Sequence, residues 1–131
     1  MLRVPLVVFL AGFCFLTNNC GPKITPAETR VLAALEALRR GTEANIEYKP
    51  FVQLLETANN EISKLRKLNE GSPCFLGSAD KCYSAYEIAR KAWKKMSEEQ
   101  NESRKADMEL TLAFSLSFAA LNIEKAADCF K

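Results

Sequence analysis

Apolar residues recur along this chain at alternating steps of four and three, and no other feature restricts its folding so strongly. Phe51, Leu55, Ala58, Ile62 and Leu65 follow that spacing, and so do Cys82, Tyr86, Ala89, Trp93 and Met96. Val31, Leu32, Leu35 and Leu38 form a shorter stripe near the start of the body. A mean step near 3.5 residues puts each set on one side of an α-helix. On a strand the same residues would be scattered over both faces. A helix with one apolar stripe must bury it, and several such helices do so against one another.

Punctuation between the stripes gives the boundaries. Thr25-Pro26-Ala27-Glu28 combines a Thr cap, Pro at the first helical position and Glu three residues after the cap. This is a capping box. Gly41 is the expected left-handed stop of the first helix. The second begins near Pro50, or a turn or two earlier with a kink, and ends at Asn69-Glu70-Gly71. Residues 69–78 then read as a loop, with Ser78 or Asp80 capping the third helix. A polar run from Ser97 to Asp107 holds the next turn or, since it contains no Gly or Pro, continues as one long bent helix.

The last segment is ambiguous. Met108, Leu110, Leu112, Phe114, Leu116 and Phe118 alternate with Glu109, Thr111, Ala113, Ser115 and Ser117, which is the period of a strand. Yet Leu112, Leu116, Ala119, Ile123, Ala126 and Phe130 carry helical steps further, and no second strand is evident as a partner. The segment reads as a helix, with Phe114, Phe118 and Leu121 making it the most buried of the four. The expectation is an all-α, up-down-up-down four-helix bundle over 25–131, with helices at about 26–40, 50–68, 79–97 and 105–129.

The first twenty residues belong to a different category. Met1-Leu2-Arg3 is a short basic start, followed from Val4 to Leu16 by 13 mostly large apolar residues. As a helix these reach about 20 Å, short of the roughly 30 Å hydrocarbon core of a bilayer. A basic start and a short apolar stretch read as an export signal. The chain continues Leu16-Thr17-Asn18-Asn19-Cys20-Gly21-Pro22. A cysteine just past the apolar stretch resembles the lipobox of bacterial lipoproteins. Leu16 stands four residues before Cys20 and Asn19 directly before it, as in the looser lipoboxes of spirochaetes. The resemblance implies cleavage before Cys20, transfer of a diacylglyceryl group to its thiol, and acyl chains such as palmitate in the membrane. Residues 1–19 are then the signal peptide, 20–24 a tether and 25–131 the bundle. Secretion without lipid is the alternative.

Cys20, Cys74, Cys82 and Cys129 remain in such a mature chain. Cysteines in an exported protein form disulfides where the compartment is oxidising. In an up-down bundle the start of the first helix, the end of the second, the start of the third and the end of the fourth share one pole. The leading pairing is Cys74–Cys82, with Cys82–Cys129 and Cys74–Cys129 as alternatives. A zinc site is disfavoured, because Cys-x7-Cys lacks a close pair and the chain has no histidine.

The missing histidine also excludes Ser-His-Asp and Cys-His catalysis. No phosphate-binding glycine loop or dinucleotide fingerprint is present, and the expectation is not an enzyme, with no cofactor and no metal. Lys plus Arg total 18 against 16 Asp plus Glu, a net charge of +2, too near neutral for nucleic-acid binding through bulk charge. Arg90, Lys91, Lys94 and Lys95 form a basic face on the third helix, the candidate interaction surface, although a solvated face has the same pattern. Tyr83, Tyr86 and Trp93 are read mainly as core, with Tyr83 the most exposed. Asn101-Glu102-Ser103 matches a glycosylation acceptor pattern. These features suggest a small lipoprotein of the bacterial envelope, at the outer membrane or cell surface. Its partners would be the membrane, through the lipid on Cys20, and an envelope protein. The competing reading is a soluble periplasmic or secreted inhibitor, chaperone or apolar-ligand carrier; Ala113, Ser115, Ser117 and Ala119 would leave room for a ligand, and they equally suit close helix packing.

Overall fold

A computed structural model of the chain describes residues 23–131, so the expected signal peptide over 1–19 and the expected lipidation at Cys20 lie outside the described residues. Four helices follow in order: α1 (Pro26–Glu43), α2 (Tyr48–Leu68), α3 (Pro73–Glu98) and α4 (Glu102–Asp128). Among the described residues there is no strand, and the fold is all-α. α3 and α4 pack most extensively, α1 and α2 form a second pair, α1 also meets α3 and α4, and α2 does not touch α4.

Local chemistry explains most boundaries. The Thr25 capping box forms as expected, with the Glu28 amide donating to Thr25 Oγ1 at 3.1 Å. α1 runs beyond Gly41, which is not the stop. The left-handed residue is Asn45, at φ 57°. The Asn45 amide donates to the Thr42 carbonyl and the Ile46 amide to that of Gly41, which is a Schellman termination. Gly41 serves instead as a place of close approach, since a Cβ there would lie 2.9 Å from Ile46 Cδ1. Pro50 sits in the first turn of α2, where its missing N–H leaves no helical bond unmade. Asn69, at φ 54°, ends α2.

The expected loop over 69–78 is much shorter. Ser72 caps α3, accepting from the Phe75 amide at 3.2 Å, and Pro73 takes the first helical position. Cys74 and Gly77 are therefore helical. Two separate helices meet after Glu98, where Asn101 Oδ1 caps α4 by accepting from the Arg104 amide.

The inward stripes match the heptad spacing. Val31, Leu35, Leu38, Phe51, Leu55, Ile62, Leu65, Tyr86 and Ile123 are buried in one core. Buried residues on α3 include Ala79, Ala85, Ala89 and Ala92, while α4 buries Ser115, Ala119 and Ala126. Such small side chains let the two backbones approach closely.

α4 departs from expectation. Phe114, Phe118 and Leu121 are exposed, Phe114 to 74%. The disulfide also differs from the leading expectation: Cys74 pairs with Cys129, at a Cα–Cα distance of 5.9 Å. Cys74 and Cys82 lie on the same helix, eight residues or about 12 Å of rise apart, too far to bridge. Cys82 is a buried free thiol.

The pole that holds the disulfide also joins two helix starts. Glu28 is only 2% exposed. Its Oε1 accepts from the Thr25 amide at 3.0 Å and its Oε2 from the Ser72 amide at 3.1 Å. One carboxylate thus serves the caps of both α1 and α3. Glu28→Ala should lower unfolding free energy by about 2–4 kcal/mol, through loss of a cap and of charge-assisted bonds in a buried place. Glu28→Gln keeps one acceptor oxygen and should lose less, as measured by urea unfolding.

Candidate functional site

On the basic face read from the sequence, one of the four residues is already paired within its own helix. Arg90 is held by Glu87, with its Nη2 3.0 Å from Glu87 Oε2, and this contact is the main reason its pKa is raised. Tyr83 donates to the other oxygen of the same carboxylate at 2.9 Å. Burial and the Glu87 carboxylate push the Tyr83 phenol up to about 12. Lys91, Lys94 and Lys95 are exposed and form no ion pair among the described residues. Helical spacing separates them further. Lys94 follows Arg90 by four and shares its side, toward α2. Lys91 and Lys95 follow Ser84 and Ile88 by seven, on the side toward α4.

The aromatic residues are structural. Trp93 packs against Phe51 at 5.3 Å between centroids and edge-on to Tyr48 at 5.5 Å. Tyr86 is buried beside Phe51. Its hydroxyl has no hydrogen-bond partner, and burial raises its pKa. Cys82 is shielded in the same core, where burial, helped by the Glu36 carboxylate, pushes its thiol up to about 12. It is therefore a poor nucleophile and a poor metal ligand.

Connections are also smaller than the sequence suggested, leaving residues 44–47 and 99–101 outside the helices. Asn101 of the acceptor triplet uses its side chain as the α4 cap. Glu99 is likewise occupied, accepting from the Asn101 amide.

What remains is an apolar surface the sequence reading placed inside. Leu110, Phe114, Phe118 and Leu121 follow one another by four, four and three on the outer side of α4, and all are exposed. Ile88, 52% exposed, lies opposite on α3. Between the two helices runs an open groove of about 510 Å³, with Lys81, Ser84, Ala85 and Ile88 on one wall and Phe114, Ser115 and Phe118 on the other. Asp80 closes one edge and is ion-paired with Arg66 of α2. Of the small residues on α4, Ser115 and Ala119 are buried, whereas Ala113 and Ser117 face solvent.

The signal for this surface was present in the strand-like alternation. Two residues span about 200° of a helix, so alternating apolar residues lie on opposite sides. Leu112 and Leu116 turn inward and Leu110, Phe114 and Phe118 outward. α4 is consequently long and apolar enough to cross a membrane by length and composition, with 22% of that apolar stretch buried. Among the described residues, no group of three or more metal-ligating side chains comes together. No family of known proteins matches the chain, and no curated protein or solved structure is significantly similar to it.

Two outcomes should distinguish these environments. Phe114→Ser should change stability by no more than about 0.5 kcal/mol, whereas Ile123→Ala should cost about 2–4 kcal/mol, both read from urea unfolding. Cys82 should resist alkylation at pH 8 in the folded protein and react fully once denatured without reductant, as followed by peptide mass mapping.

Proposed function

We propose that this protein is a small exported helical interaction module, held at a bacterial envelope by a lipid on Cys20, with its binding surface on the outer face of α3 and α4. The observation that carries the reading is the row Leu110, Phe114, Phe118 and Leu121, exposed beside Ile88. Such a contiguous apolar patch favours a binding role, because scattered apolar residues alone would need no explanation. The Cys74–Cys129 disulfide supports residence outside a reducing cytosol. In the chain-entropy account, closing 55 residues contributes about 4 kcal/mol, a large share of a small domain's stability.

The tether agrees with this arrangement. Thr25 lies at the pole where Glu28 meets Ser72, so a short segment from Cys20 would fasten the bundle at the disulfide end. The competing reading, a soluble carrier of apolar ligands, draws on the groove of about 510 Å³. Its openness to solvent favours a surface that meets something larger.

Intact mass of the mature protein, made from the full precursor in a spirochaete host, tests the proposal. The expected result is a chain starting at Cys20 with added acyl mass. An unacylated N-terminus would overturn the lipid tether and leave the carrier reading in front.

A further inference from the structure

We propose that the α3–α4 face lies flat on the surface of an anionic lipid bilayer, with Leu110, Phe114, Phe118, Leu121 and Ile88 dipping into the interface and Lys81, Lys91 and Lys95 meeting the headgroups. The inference deepens the tethered-module reading and rests on it for the nearness of the membrane.

Three observations select a bilayer as the occupant. The first is charge. The ridge of α3 beside the groove presents Lys81, Ser84, Ile88, Lys91 and Lys95, with exposed Glu98 at its far end; the three lysines are exposed and form no ion pair among the described residues, whereas Asp80, the acidic residue lining the groove, is paired with Arg66. On α4, Lys125 continues the outward row, while Asp107 marks its other end and Asp128 is paired with Lys131. An apolar stripe rimmed by lysine is the pattern of an interfacial surface drawn to anionic lipid.

The second is area. Two aromatic and three aliphatic side chains, each about half exposed or more, offer roughly 500 Å² of apolar surface. A stable pairing of two copies needs about 800 Å² from each partner. A bilayer demands no such matched surface, because lipid tails and headgroups rearrange around what enters.

The third is placement. Leu110 to Leu121 spans about 16 Å along the axis of α4, parallel to the groove. The five residues from Cys20 to Thr25 reach at most about 18 Å. A tether of that length lets the bundle lie on its side, so that the lipid and the face engage one membrane together. The effective concentration of the face at the bilayer is then high without strong intrinsic affinity. Two weak signals acting together give the stable attachment that one alone does not.

The test is a site-specific depth measurement on the full chain. Phe114→Trp is introduced in a Trp93→Phe background, which leaves one indole in the protein, and Leu110→Trp serves as a second reporter on the same row. Vesicles contain brominated phosphatidylcholine, with or without 30% phosphatidylglycerol by a chosen mole fraction of roughly that size. The expected result is quenching of the indole by brominated tails in anionic vesicles, reversed at high salt. Replacing Lys81, Lys91 and Lys95 with Gln should lower that vesicle-dependent quenching as a partition constant by about fivefold per lysine.

An indole that stays open to acrylamide while the chain sediments with vesicles overturns the proposal and leaves the tether intact. Shielding that grows with protein concentration without lipid also overturns it, in favour of a second copy on the face. Shielding by one equivalent of monomeric fatty acid overturns it in favour of a carrier groove. Loss of acylation at Cys20 would instead count against the tether alone, because the quenching measurement reads the α3–α4 face separately.

Discussion

The carboxylate of Glu28 is the contact on which the disulfide pole is built. α1 and α3 both begin there, so two positively polarised helix ends meet in a place with little water. Each end carries amides that no helical carbonyl can satisfy. Glu28 lies between them and accepts one amide from each, Thr25 on one side and Ser72 on the other. It compensates the charge of both ends and sets their relative height. Ser72 then holds the first turn of α3 through its own cap, and Pro73 excludes a helix beginning later.

That start places Cys74 in the first turn of α3, where the last turn of α4 can reach it. Phe75 and Phe130 pack at 5.4 Å beside the disulfide, closing the same pole with apolar contact. The rest of the α3–α4 pair is joined through small residues, which gives close backbone approach but leaves little width to cover a second apolar side. Leu110, Phe114, Phe118 and Leu121 are therefore stranded outside. Their exposure follows from geometry: one helix cannot bury two opposite faces when neighbours stand on only one side of it.

An outer apolar surface on a small disulfide-linked bundle changes how the charged residues are understood. The lysines of α3 divide between two sides of one helix. Arg90 and Lys94 turn toward α2, and Arg90 is held by Glu87. Lys81 lines the groove, and Lys91 and Lys95 continue its side of α3 by helical spacing, so positive charge lies beside the exposed apolar row. The buried thiol of Cys82 and the hydroxyl of Tyr86 belong to the core, where burial suppresses their ionisation and their chemistry.

Helical periodicity, caps and composition were enough to determine an all-α fold of four helices over the described residues, because 3.5-residue spacing and Thr25 with Glu28 are local facts. The inward residues of α2 could be named from spacing alone. Other features depended on distance between segments. The stop after α1 shifted from Gly41 to the left-handed Asn45, with Ile46 folding back on the helix, and α3 begins at Ser72, whose hydroxyl caps it while its amide meets Glu28. Cysteine count suggested a disulfide, but only the antiparallel docking of α3 and α4 brought Cys74 to Cys129. The same docking decided which apolar side of α4 was buried. A sequence specifies how residues are distributed around a helix axis; which side meets protein depends on where the neighbouring helices stand, and that is settled only when all four pack together.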